Sequence, residues 1–119
     1  MEHILIFEAI KVEGKCPVYS VGDKTVIKGP TIDLKNSDAV CVHALFCLGP
    51  FLMALREGVP PAHLGLSKKK DGDAYFHCLD PGKPYTNGGT VLFKVLTLSK
   101  ENYPSKFRLY KLIRKMSIK

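Results

Sequence analysis

Cys16, Cys41, Cys47 and Cys78 are the side chains of this sequence with the widest chemical reach. A thiolate acts as a nucleophile, a redox centre or a soft metal ligand, depending on what surrounds it. No two of the four stand in a C-x-x-C pair, the spacing that marks a zinc knuckle or a thioredoxin-type centre. Their placement is more informative. Cys16 precedes Pro17 just past a strand-like run, Cys41 lies in the first turn of a helix-like run, and Cys78 lies near the end of a short strand-like run before Asp80-Pro81. Ends of elements can converge on one pole of a small domain. Thiols at Cys16, Cys41 and Cys78 would then suit zinc or another thiophilic metal, or a redox site. For Cys41, on a core-facing stripe, the reading as a small buried hydrophobe competes.

Other groups are weaker candidates. His43 and Cys47 stand four apart, the spacing at which two helical side chains share a face and could share a metal or a proton. His77 and Cys78 are neighbours on a strand and so point to opposite faces. A nucleophilic cysteine needs a base or a positive neighbour: Cys41 would have a helix N-terminus and Cys16 has Lys15 beside it. Asp23 and Asp80 are the best-placed carboxylates for a polar site. Each sits in a turn sequence, Gly-Asp or Asp-Pro-Gly, where the side chain usually serves its own backbone. The common phosphate-loop, dinucleotide and serine-hydrolase motifs do not occur, so the residues leave open whether the protein is an enzyme.

The elements that must position these residues read as strand, strand, helix, strand, strand. Ile4 to Val12 is rich in Ile, Leu, Phe and Val and ends at Glu13-Gly14. Lys24 to Lys28 follows the Gly22-Asp23 turn and ends at Gly29-Pro30. Asn36-Ser37-Asp38 supplies N-cap chemistry for a helix over 38–57, stopped by Gly58 and Pro60-Pro61. Cys41, Leu45, Leu48, Leu52 and Leu55 form its core-facing stripe, and Pro50 predicts a kink near Phe46 to Gly49. Ala74 to Leu79 and Thr90 to Leu98 then read as an antiparallel pair joined by a long Gly-rich loop. The expected fold is α+β, a small antiparallel sheet packed on one main helix, because the strand-helix alternation of a parallel sheet is absent.

The 119 residues suffice for one domain that buries a core without disulfides or a structural metal. Residues 1–98 are assigned to it, and 99–119 to a basic C-terminal extension, helix or strand. Residues 1–93 carry 10 Lys and Arg against 10 Asp and Glu, whereas residues 94–119 carry 8 against 1, so the whole net charge of +7 lies in the C-terminal fifth, residues 94–119. A basic stripe of Lys106, Arg108, Lys111, Arg114 and Lys115, with Tyr103 and Tyr110 beside it, offers a second function class: anion binding to nucleic acid or an acidic protein partner. The same charges also read as the solvated face of a helix docked through Leu109, Leu112 and Met116. Ala39 to Leu55 lacks formal charge but is short for a membrane span and contains His43, Gly49 and Pro50, so no span is expected. Few cysteines, and Glu2, His3 and Glu8 where a secretory leader would run, point to a cytoplasmic protein.

Lys11-Val12-Glu13-Gly14-Lys15-Cys16-Pro17, Val21-Gly22-Asp23, Cys41 with Ala44 and Pro50, Cys78-Leu79-Asp80-Pro81 and Thr90-Val91-Leu92-Phe93 together resemble a family of small prokaryotic proteins of no established activity. Its pattern is a Cys-Pro before a Gly-Asp, a helix starting near a second Cys, and a Cys-Pro-Asp before a last strand. The resemblance spans roughly residues 5–96, with Leu79 where proline is usual and Cys47 additional. It implies a shared fold and a shared thiol site at Cys16, Gly22, Asp23, Cys41, Cys78 and Asp80.

Overall fold

The computed structural model describes residues 3–99 and 101. Its long central strands are β1 (His3–Glu13) and β5 (Thr90–Ser99), both built from Val, Ile, Leu and Phe, whose branched and aromatic side chains fit a pleated surface. β2 (Lys24–Lys28), β3 (Thr31–Ile32) and β4 (Ala74–His77) complete a five-stranded sheet of order β3-β2-β1-β5-β4. Every pairing is antiparallel. The fold is therefore α+β, one sheet against one main helix, α1 (Val42–Arg56).

Register decides which side chains meet the helix. Leu5 and Phe7 lie opposite Ile27 and Thr25 of β2, and Phe7 and Ala9 lie opposite Val95 and Phe93 of β5. These residues share one face and belong, Thr25 apart, to a core with Leu48 and Leu55 of α1. Phe7, Phe76, Phe93 and Tyr19 form its aromatic centre, with edge-to-face contacts and a stacked Phe76–Phe93 pair at 4.8 Å between centroids. On the opposite face Ile4, Ile6 and Val26 form a smaller buried cluster with Leu96 and Leu98 against it. The β1–β5 register shifts between Ala9 and Lys11, leaving Ile10 as the extra residue of a bulge. The bulge reverses the alternation, so Val12 falls opposite Val91 on the helix side although it is three residues beyond Ala9.

Several local expectations are corrected. The helix starts at Val42, not Asp38, and its N-cap residue Cys41 makes no side-chain cap hydrogen bond. The polar run before it is held by β2 instead. Asp38 accepts the Lys24 N–H, Ser37 Oγ accepts the Val26 N–H, and the Thr25 hydroxyl donates to the Ala39 carbonyl. This lacing positions the start of α1 over the sheet. Ala44, Leu48 and Leu55 are the fully buried helical residues, with Leu45 and Leu52 partly buried beside them, so the buried stripe is rotated from the one expected. The helix continues through Pro50 to Arg56. Gly29-Pro30 does not merely end β2: it turns the chain into β3, with Gly29 at φ +57. A 3₁₀ turn (Pro61–Leu64) follows the helix.

No helix among the described residues is long and apolar enough to cross a membrane. The basic stripe at Lys106, Arg108, Lys111, Arg114 and Lys115, with Tyr103 and Tyr110, lies outside the described residues.

Candidate functional site

Two chain segments make the site by touching each other's backbone. Past the bulge, β1 ends at Glu13, and Gly14, at φ +79, turns the chain into Lys15-Cys16. The loop before β5 approaches from the other side through Gly88 and Gly89, both at φ +98, and the Gly89 N–H donates to the Glu13 carbonyl. A Cβ at Gly89 would lie 2.6 Å from the Lys15 carbonyl oxygen, and one at Gly14 would lie 2.7 Å from the Gly89 nitrogen. Only residues without a side chain permit this approach. It brings the Cys16 loop against the chain leaving β4, where Cys78 lies.

A pocket of about 290 Å³ opens between these segments and the start of α1. Cys16, Cys41 and Cys78 all line it, with Lys15, His43 and Asp80 as its other ionisable side chains apart from Tyr19. The three thiols picked out from the ends of elements thus share one cavity, although they come from three parts of the chain.

Their hydrogen bonding separates them. Cys16 Sγ receives two backbone N–H groups, from Val18 at 3.4 Å and Tyr19 at 3.3 Å. Both dipoles present their positive ends to the sulfur, which suits negative charge there. Cys78 is buried, accepts the Val91 N–H at 3.2 Å and donates its own S–H to the Gly89 carbonyl at 3.6 Å, an arrangement that uses the thiol proton. Cys41 is half-buried at the head of the helix. Cys47 lies nearly two turns further on, packed against the core and outside the pocket lining. Burial pushes its thiol above the ordinary range, and the nearby sulfurs of Cys78 and Cys41 act in the same direction. Tyr19 forms part of the wall. Its hydroxyl is 2.6 Å from Thr25 Oγ1, and because the Thr25 proton goes to the Ala39 carbonyl, Tyr19 is the donor of that pair. Burial raises the phenol pKa.

The metal expectation meets a geometric obstacle. Each zinc–sulfur bond is about 2.3 Å, so three ligands must crowd around one point. Among the described residues no group of three or more His, Cys, Asp or Glu side chains does so. Cys16, Cys41 and Cys78 share a cavity without forming a ligand set, and His43 with Cys47 recruits no third ligand. His77 is exposed, its Nδ1 2.6 Å from the Cys78 carbonyl, while Cys78 is buried, as strand alternation requires.

The two carboxylates are not brought together. Asp23 accepts the Ser20 N–H at 2.9 Å in the turn before β2 and does not line the pocket. Asp80 does line it, but its carboxylate accepts the Thr86 hydroxyl and the Gly82 N–H, and its carbonyl accepts the Thr90 hydroxyl at 2.8 Å. Asp80 therefore ties the loop between β4 and β5 into its shape. The Thr86 hydroxyl, first, and the Gly82 amide hold its pKa below the usual carboxylate value. A group with a depressed folded pKa favours the fold above its unfolded pKa and loses that contribution as pH falls through the folded value, here below pH ~3.9. Thr86→Val should move the Asp80 titration upward towards that ordinary value, read by carboxyl-carbon NMR. An unchanged midpoint would mean that the Thr86 hydroxyl is not what holds it down.

Sequence reading gave no site role to Tyr19, Phe93 and Gly89, which build the wall and the close approach. Only the Gly88-Gly89 pair carried a signal, since paired glycines mark places where backbones meet. Comparison with known proteins finds no matching family model, no matching curated protein and no matching solved structure.

Proposed function

We propose that this protein is a thiol-exchange protein in which Cys16 is the reactive sulfur, with Cys41 and Cys78 in the same pocket. The observation that carries this reading is the pair of N–H groups from Val18 and Tyr19 directed at Cys16 Sγ at the edge of a cavity. Cys16 receives hydrogen bonds and gives none among those described, whereas the Cys78 proton is engaged by a carbonyl. A sulfur that must develop negative charge to attack is better placed at Cys16. The resemblance noted above names the same three cysteines. The redox alternative is preferred to zinc because the three sulfurs lack a common metal centre.

Alkylation of the native protein with iodoacetamide, resolved by peptide mass, tests the assignment. Cys16 should label first, and Cys16→Ser should remove the fast phase while leaving Cys41 and Cys47 at their slower rates. Labelling led by Cys41 or Cys47, or Cys16 reacting no faster than an unstructured peptide thiol, would refute it.

A further inference from the structure

We infer that the substrate of this pocket is a small, uncharged, apolar disulfide; the inference rests on the reading of Cys16 as the reactive thiol. At about 290 Å³ the cavity sits at the lower limit of small-ligand sites, roughly 300 to 1,000 Å³, which excludes a bulky peptidic disulfide from entering whole. Its wall is hydrocarbon, aromatic ring and sulfur: Pro17, Val18, Ala44, Leu79, Val91 and Phe93 accompany the cysteines. Val18 and Leu79 stay 38% and 56% exposed, so the apolar surface reaches the mouth.

An anionic disulfide would find little to replace its water. The Val18 and Tyr19 N–H groups point at Cys16 Sγ, the Tyr19 hydroxyl at Thr25, and the Gly89 N–H at Glu13. Lys15 is the one lysine or arginine of the lining and Asp80 the one carboxylate, so the lining carries no excess of cationic lysine or arginine over carboxylate, with His43 exposed at the start of α1. Desolvating a charged group without a partner is costly, whereas an apolar ring or alkyl chain enters favourably.

The step is a disulfide exchange. Cys16 gives its proton to solvent, and its sulfur attacks one sulfur of R–S–S–R. A Cys16–S–S–R bond forms as the old S–S bond breaks, and R–S⁻ leaves with the electron pair and takes a proton from water. The disulfide is the oxidant, one half being reduced to a thiol while Cys16 is oxidised to the mixed disulfide.

The test uses the full chain with two chromogenic probes, neutral dipyridyl disulfide and dianionic bis(nitrobenzoate) disulfide, each rate divided by that of an unstructured cysteine peptide. With the modified residue checked by mass, the neutral probe should react at Cys16 on the order of tenfold faster than the dianion after this correction, the penalty of an unpaired buried charge. Leu79→Lys, at an exposed rim position, should shift the ratio several-fold towards the dianion, with folding checked by circular dichroism. Equal corrected rates, or a faster dianion, would overturn the substrate class while leaving a reactive Cys16 standing. A Cys16 inert to both probes and to iodoacetamide would instead overturn the thiol-exchange reading itself.

Discussion

Phe93→Ala is expected to lower the unfolding free energy by about 3 to 5 kcal/mol, the range for removing a large aromatic from a packed core. Phe93 is fully buried and is the one ring that contacts Phe7, Phe76 and Tyr19 together. Its removal leaves a void bounded by three rings fixed to β1, β4 and the loop before β2, which cannot all close on it. Each lost aromatic pair adds about 0.5 to 1.5 kcal/mol beyond area. Urea unfolding checks this, with the slope of the transition compared to confirm that the denatured state is unchanged. A loss under about 1 kcal/mol, the typical effect of an arbitrary substitution, would show that the aromatic centre is not the keystone of the core.

Gly89→Ala should be the most damaging single-methyl change among the glycines discussed. The added Cβ would meet the Lys15 carbonyl oxygen at 2.6 Å, a backbone atom that cannot swing aside as a flexible side chain can, and φ is +98. Left-handed strain for a residue with a Cβ costs on the order of 1 to 3 kcal/mol, and the collision adds to it. Gly65→Ala is the matched control: φ is +74 but the Cβ would enter open space. Thermal unfolding should show a clearly larger loss for Gly89→Ala, and its Cys16 should lose the fast alkylation phase because the loop holding it is pushed away. Equal losses in the two variants would remove the close approach from the account.

The long elements were legible because their cause is local. β1, β2, β4, β5 and α1 each carry a hydrophobic period that survives in the sequence, and their order, without strand-helix alternation, was enough to indicate an antiparallel sheet on one helix. The misreadings have non-local causes. Asn36-Ser37-Asp38 has the chemistry of a helix cap, but the Lys24 and Val26 N–H groups of β2 take the Asp38 and Ser37 oxygens instead. Thr31–Ile32 has too few residues to show alternation, and exists as a strand because Gly29-Pro30 folds it back on Lys28 and Ile27. The bulge at Ile10 is invisible in composition, since it follows from how β5 pairs with β1. For the candidate site, the placement of cysteines at element ends anticipated that Cys16, Cys41 and Cys78 line one cavity. Which thiol has donors and which has an acceptor depends on Val18, Tyr19 and Gly89, whose roles appear only when the two loops meet.

The sheet's outermost strands have a consequence for behaviour in concentrated solution. Of the described strands, β3 at one edge has two residues and β4 at the other has four, while the ten- and eleven-residue strands lie inside. A long edge would display a row of open N–H and C=O groups on which a second chain could crystallise, strand upon strand, into a fibre. Here the outer strands are short, and Ile4 to Glu8 of β1 and Leu92 to Val95 of β5 are paired on both flanks. Fibril growth through those doubly paired segments therefore requires the strands to separate first, which makes the rate of opening part of the protein's shelf life.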